Sequence, residues 1–345
     1  MGTKEELREK ISALHRRAFT VDAHFDLPSE VANRRERGAR KVIAEDYLPG
    51  FKAGGLDLIV SAIFIHNLFL PEMGLRKALD QISCLLEELD ETPGQFRICR
   101  NAAEARAARE AGELGLLLSL EGADPLQNDL GLLRIFYELG VRALGLVWSR
   151  RNYAADGCSF HSIQEGRKGG LTAFGVALVQ KAEALGMVID VSHMNDEGFW
   201  DVMALAQQPV IASHSNCRAL AGSMRNLSDS QIQALAETGG VMGMNALNAF
   251  IRDEDPDAGV DQLVDHVDHI VKIAGIRHVG IGFDLCDSFQ NHLNLARALD
   301  THDVLAGHHE SGRLTAALLA RGYCDGEIEL ILGGNFMRVF EEILK

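Results

Sequence analysis

LGLLLSLEG, residues 114 to 122, is apolar at nearly every position until Glu121 and Gly122. A strand that packs on one face alternates apolar and polar residues. A run this continuous suits a strand buried on both faces, as in a parallel sheet covered by helices. Seven other runs share the pattern: AFTVDAH (18–24), LDLIVSAIFIH (56–66), VRALGLVWS (141–149), GMVIDVSH (186–193), PVIASHS (209–215), GGVMGMNA (239–246) and HVGIGFD (278–284). The segments between them read as helices. LRKALDQISCLLEEL (75–89) and LTAFGVALVQKAEALG (171–186) carry apolar residues at helical spacing, and the second closes on a glycine suited to a C-cap. Ser228 and Gln231 fit a capping box, with Gly239 as the stop.

Eight strand–helix units predict an α/β fold of the (β/α)8 TIM-barrel type, which typically takes about 250 residues. The surplus in a chain of 345 residues is expected to form an N-terminal helix, a long loop over 286–312 and a C-terminal helix around 334–344. An open doubly wound sheet is the competing architecture. It is disfavoured because no GxGxxG follows the first run. No linker, repeat or low-complexity tract divides the chain, so residues 1–345 are read as one domain.

Composition sets further bounds. The chain is 47% hydrophobic and 24% charged, enough for a large core. A formal charge of −15 argues against a nucleic-acid surface, which usually shows a basic stripe. The charged start, MGTKEELREKISALHRRAF, lacks the apolar core of a secretory peptide. No run of about 18 apolar residues occurs, so neither a membrane span nor membrane attachment is expected. The six cysteines (84, 99, 158, 217, 286, 324) show no CxxC spacing and are expected as buried thiols of a cytoplasmic protein.

In such a barrel the functional end is where the strands finish. There the sequence places His24 and Asp26 after the first run, Glu121 after the third, Ser192 and His193 after the fifth, Ser213, His214 and Ser215 after the sixth, and Asp284 after the eighth. His24 and Asp26 are alternate residues, so an extended chain presents them on one face. A lone histidine after a strand is more often structural. Five ligand-type residues on four strands at one end point to a metal instead. Three imidazoles and two carboxylates suit zinc. They are too many for one open catalytic site, which predicts two ions, with Glu121 bridging them. His66 also closes a run and is read as structural. His302, His308 and His309 are read as solvated or lid residues, and His266 and His269 as surface or helix-face residues.

Taken in order, HFDLP (24–28), LEGAD (120–124), LTAFG (171–175), VSH (191–193), SHS (213–215), MRNLSD (224–229), GFD (282–284) and LGGNFMRVF (332–340) span nearly the whole chain. Together they resemble the membrane (renal) dipeptidase family, zinc peptidases of the amidohydrolase type. The resemblance implies a binuclear zinc site in which His24 and Asp26 bind one ion, His193 and His214 the other, and Glu121 both. It implies that Arg225 binds the substrate carboxylate and that Asp284 handles protons. Dipeptides, often with a D-residue at the C-terminus, are the family's usual substrates. Family members often carry a histidine after the fourth strand. Here VWSRRNYAADG places Trp148 at that position, and indole offers one N–H donor and no acid. Arg150 or Asn152 is the expected replacement, or else the substrate differs from a standard dipeptide.

The chemistry implied is hydrolysis by a hydroxide that two metals generate near neutral pH, with Glu121 as the shared ligand. Asp284 would take the proton of the water and pass it to the leaving amine. Arg225 offers a planar fork that matches a carboxylate, although by residue type alone it reads as a surface ion pair. A related binuclear hydrolase of lactones, cyclic amides or esters is the alternative. A binding protein that has lost turnover is the third reading, and the complete ligand set argues against it. The expected partners are a small dipeptide and, for assembly, a second copy in a homodimer.

Overall fold

The computed structural model describes residues 4–159, 166–253, 255, 257–287 and 301–345. Among them, nine strands form one parallel sheet: β1 (Val21–Phe25), β2 (Leu58–Phe64), β3 (Phe96–Ile98), β4 (Leu114–Glu121), β5 (Val141–Gly145), β6 (Val188–Asp190), β7 (Val210–Ala212), β8 (Val241–Met244) and β9 (Val279–Ile281). The order is β1-β2-β4-β5-β6-β7-β8-β9, with the short β3 attached to β4. Eight of the nine coincide with the apolar runs. β3 was not anticipated, because three residues are too few to show a pattern.

The sheet curls until its edges meet. Asp284 N–H donates to His24 O at 3.3 Å, and Phe283 N–H donates to the buried Asp22 carboxylate at 2.9 Å. These bonds join the exits of β9 and β1 and make a nearly closed barrel. Asp22 also accepts from His308 Nε2 at 2.8 Å. His308 is therefore buried against Phe25 and Phe51 and is not the solvated residue expected of it. His302 is half-buried and His309 exposed. The rest of the expected loop, residues 288–300, lies outside the described residues.

Strand parity sorts the side chains. Leu58, Val60, Leu117, Ala143, Val188, Ile211 and Val241 form one apolar cluster with Phe336 and Phe340 of the C-terminal helix Asn335–Ile343. The intervening residues, such as Ile59, Ile63, Leu116, Leu118, Ile189 and Met242, pack in a second cluster with the surrounding helices. The barrel interior is thus filled from one end by aromatic rings. Following the interior parity upward along each strand leads to Ser119 and Glu121, Asp190, Ser213 and Asn245. The polar end of the barrel is written into the same alternation as its core. Gly243 and Gly282 lie where the strands crowd together: a Cβ at either would sit 2.0 or 1.7 Å from Ser213 O.

The helices follow their local signals. The N-terminal helix is Lys4–Arg17, and Gly74–Glu91 covers the expected 75–89 segment. Thr172 caps Ala173–Ala184 by accepting from Gly175 N–H, and Gly186 follows it with φ +71°. The Ser228–Gln231 capping box is formed on Asp229–Glu237. Of the cysteines, all free, only Cys99, Cys158 and Cys217 are buried; Cys324 is exposed and Cys84 and Cys286 are half-buried. Among the described residues no helix is long and apolar enough to cross a membrane.

Candidate active site

The exits of five strands converge on one point. His24 is the penultimate residue of β1, and Asp26 stands between that strand and the helix Leu27–Glu36. Glu121 ends β4; His193, His214 and Asp284 follow β6, β7 and β9. His24 Nε2 lies 3.8 Å from Asp26 Oδ1, 3.6 Å from Glu121 Oε1 and 3.7 Å from Asp284 Oδ1. Glu121 Oε1 lies 2.9 Å from His193 Nε2 and 3.5 Å from His214 Nε2. The two last nitrogens are 2.9 Å apart, and the rings of His24 and His214 stack at 3.6 Å. The predicted ligands His24, Asp26, Glu121, His193 and His214 are together, with Asp284 among them.

The outer ring nitrogens explain why the inner ones face each other. Ser213 gives its hydroxyl proton to the Asp190 carboxylate and so accepts from His214 Nδ1–H at 2.7 Å. That leaves His214 Nε2 with a lone pair. His193 Nδ1 is likewise tied to Ser149 Oγ at 2.8 Å. Asp190 is itself held by the backbone N–H groups of Ser192 and Ser213, at 2.9 and 3.0 Å. A carboxylate that fixes a ring through a hydroxyl is the arrangement that orients metal-binding histidines.

Burial sets the charge states. It lowers His24 to about 3, with the Arg225 charge adding to the effect, and lowers His193 and His214 well below their ordinary value. The imidazoles are neutral, as ligation requires. Burial raises Asp26 and Glu121 well above the carboxylate range, and the neighbouring acids add to it. Asp284 is raised by burial to about 6. His24 Nε2, Asp26 Oδ1 and Glu121 Oε2 are buried with no hydrogen-bond partner. Stranded acceptors of this kind cost on the order of 1–3 kcal/mol each. Lone pairs and carboxylates aimed at one another are the donor set that divalent cations fit, and three overlapping groups offer themselves: His24, Asp26 and Glu121; Glu121, His193 and His214; His24, His214 and Asp284.

The backbone bends sharply to make this cluster. His193 (φ +68°) and Asp284 (φ +54°) are two of only four described non-glycine residues in the left-handed region. Such conformations cost on the order of 1–3 kcal/mol for a residue with a Cβ and gather at functional sites. Cys158 N–H holds His193 by its carbonyl at 2.7 Å.

Arg225 is 2% exposed, so the surface ion pair that its residue type suggests is wrong. Its guanidinium donates to Ser215 Oγ at 2.8 Å and to His214 O at 2.6 Å, while its Nε is buried without a partner. A buried cation with donors to spare calls for an anion.

Above the cluster opens a cavity of about 880 Å³ whose floor includes Asp26, Glu121, His193 and Asp284. Phe64, Phe69, Trp148 and Phe250 supply much of its apolar wall. Trp148 lies 5.7 Å from the His193 ring and 5.3 Å from Phe64, centroid to centroid. The residues expected to replace the missing histidine are committed elsewhere. Asn152 donates to Leu146 O at 2.9 Å and accepts from Ala154 and Ala155 N–H at 2.8 and 3.2 Å, shaping its own loop. Arg150 grips Asp124, Asn67 and Ile65 O. His66 caps a short turn by accepting from Leu68 N–H, consistent with a structural role, and it also borders the cavity. Of the two placements expected for His266, surface or helix face, only the second holds: it lies on the buried face of the helix Val260–Ala274, with both nitrogens bonded.

Sequence reasoning missed the supporting layer: Asp22, Ser149, Asp190 and Asn245, which donates to Asp284 Oδ2 at 2.9 Å. Asp22 and Asp190 had left a signal, a carboxylate inside an apolar strand run.

Residues 8–345 match the model of a family described as membrane dipeptidase, peptidase family M19. The chain is 30% identical to human dipeptidase 3 over 359 aligned residues, covering 99% of this chain and 68% of the human protein. Its fold matches a metallopeptidase from Rhodobacter sphaeroides, liganded with a phosphinate mimic of the dipeptide L-Ala-D-Ala, at a TM-score of 0.81. That pair is 28% identical, covering 94% of this chain and 99% of the other. A second structure, the M19 metallopeptidase dipeptidase AC, matches at a TM-score of 0.84 with 29% identity, covering 94% and 98%.

Proposed function

Since the chain belongs to the membrane dipeptidase family, a family of metal-dependent hydrolases of peptide bonds, we propose that it is a two-zinc dipeptidase. Its proposed substrates are small dipeptides, including those with a D-residue at the C-terminus. The observation that carries this reading is the convergence of three imidazole Nε2 atoms and three carboxylates, with three buried atoms left unpartnered. The Rhodobacter relative with its bound mimic of L-Ala-D-Ala supports the D-residue.

His24 and Asp26 would hold one ion and His193 and His214 the other, with Glu121 shared. When bound, the ions supply Lewis acidity and lower the pKa of water. The chain does the rest. Ser149, Ser213 and Asp190 keep the imidazoles in register. Arg225, buried behind the cavity wall, supplies the fixed positive charge for the substrate's terminal carboxylate. Asp284, at the edge of the cluster 3.7 Å from His24 Nε2, carries a proton from water to the leaving amine. The aromatic wall around Trp148 excludes water from one side and receives the apolar part of the substrate.

The test is a panel of L,L- and L,D-dipeptides against lactones and esters, run on zinc-reconstituted protein with metal analysis. Dipeptide turnover with close to two ions per chain is expected. Turnover confined to lactones or esters would replace the substrate assignment. One ion or none would sink the two-metal reading.

A further inference from the structure

We propose that Asn245 is a positioning residue that aims the Asp284 carboxylate and decides which of its oxygens works. The proposal rests on the reading of Asp284 as proton carrier. Asp284 is held by its own chain only through a weak thiol donor, Cys286 Sγ, 3.2 Å from its carbonyl oxygen and 3.7 Å from Oδ1. It sits past the end of β9 on left-handed backbone. The side-chain torsion of an aspartate is broad, so the carboxylate plane is not set by local sterics.

Asn245 supplies what is missing. It follows β8, is fully buried, and each of its polar groups is engaged. Its backbone N–H donates to Asn216 Oδ1 at 3.1 Å, and its carbonyl accepts from Asn216 Nδ2 at 2.9 Å. Its side-chain Oδ1 accepts from Leu247 N–H at 2.8 Å. This fixes the orientation of the amide, because the oxygen end is claimed. The Nδ2 end then faces Asp284 and donates to Oδ2 at 2.9 Å. With Oδ2 taken by the amide, Oδ1, which has only the weak Cys286 thiol contact at 3.7 Å, is the oxygen presented to the cluster, 3.7 Å from His24 Nε2.

The pair Asn216–Asn245 also ties this aim to the rest of the site. Asn216 follows Ser215, the partner of Arg225, and Asn216 O accepts from Leu227 N–H at 2.9 Å, just past Arg225. The exits of β7, β8 and β9 are thereby one hydrogen-bonded unit, and the proton carrier is registered to the same loop as the guanidinium.

The experiment is a double-mutant cycle on the metal-loaded enzyme, with a dipeptide substrate. Asn245→Leu keeps the approximate volume and removes the donor. Supporting contacts of this kind are typically worth about 10–100-fold, so kcat should fall by that factor with metal content retained and KM little changed. In an Asp284→Asn background the same substitution should cost almost nothing further, because the residue acts through Asp284. Asn245→Ser, a smaller perturbation that keeps a hydroxyl near Leu247 N–H, gives the same cycle if the Leu variant does not fold. Equal losses in both backgrounds, or a loss confined to KM, would overturn the positioning role while leaving the functional reading intact. A wild-type enzyme without dipeptide turnover would overturn the functional reading, and this role with it.

Discussion

Two sets of fully or partly buried histidines occur in this protein, and they differ in what their ring nitrogens touch. His266 accepts from Cys217 N–H at 3.0 Å on one side and donates to Ile251 O at 2.7 Å on the other. His15 is similarly placed between Gly54 O and Thr315 Oγ1, at 2.9 and 2.8 Å. His24, His193 and His214 instead turn their Nε2 atoms toward each other and toward carboxylates, and His24 Nε2 has no hydrogen-bond partner. Burial lowers the pKa in both sets. Desolvation therefore does not distinguish a structural histidine from a ligand. What the inner nitrogens face does: backbone and hydroxyl groups in the first set, other imidazoles and carboxylates in the second.

The sharpest way to break this comparison is to empty a ligand position. His214→Ala should remove bound metal and with it measurable dipeptide turnover. Metal analysis and rates on the same sample check both, and chelation of the wild type should do the same. Asp284→Asn comes next. An amide cannot titrate, so kcat should fall by about 10²–10⁴-fold, the usual range for a general acid–base group. An activated ester, whose leaving group needs no proton, should suffer far less than a dipeptide; equal losses would refute the proton role. Arg225→Ala is smaller. A charge-assisted contact is worth roughly 1.5–3 kcal/mol, or about 10–150-fold. Binding of a free-acid dipeptide should weaken by that factor, and that of its C-terminal amide much less.

The satisfied set supplies the smallest effect on turnover. His266→Gln should leave kcat unchanged and alter only the pH dependence of stability. The unfolded chain binds a proton at the ordinary 6.5, whereas burial as a neutral ring lowers the folded value to about 4. The unfolded state holds more protons across that window, so stability falls as pH drops from about 6.5 to 4. The loss integrates to about 3 kcal/mol. Thermal unfolding of wild type and variant at pH 7 and pH 4.5 should show a smaller decrease in the variant. Parallel decreases would mean that His266 is not the proton-sensitive group.

The barrel and the residues gathered at its candidate site were legible because both rest on simple alternations. Continuous apolar runs announced buried strands, and the residues just beyond them had to lie at one end. Glu121 is an interior-parity residue four positions after Leu117, and that spacing is visible in LGLLLSLEG. What stayed hidden depends on contacts between distant segments. Nothing near Arg225 says that it will be buried: its partners Ser215 and His214 O stand 10 and 11 residues earlier in the same β7 exit, and only the folded loop brings the guanidinium back to them. Asn152 looked free because its loop could not be folded in advance; its amide is consumed by Leu146 and Ala154–Ala155. His308 reads as a loop residue until its pairing with Asp22, 286 positions away, is seen.

That seam between the first and last strands bears on how the protein is made. Asp22 is bonded to partners 261 and 286 positions later, so β1 waits for almost the whole chain before its final neighbour exists. Synthesis proceeds from the N-terminus at about 5–20 residues per second. A nascent chain that has passed His214 already displays most of the metal donors but has neither Asp284 nor the strand that closes the ring. Stable uptake of metal at this end of the barrel is therefore expected only of the finished polypeptide. Until release, the half-built rim is a set of exposed imidazoles and carboxylates open to whichever metal the cell offers first.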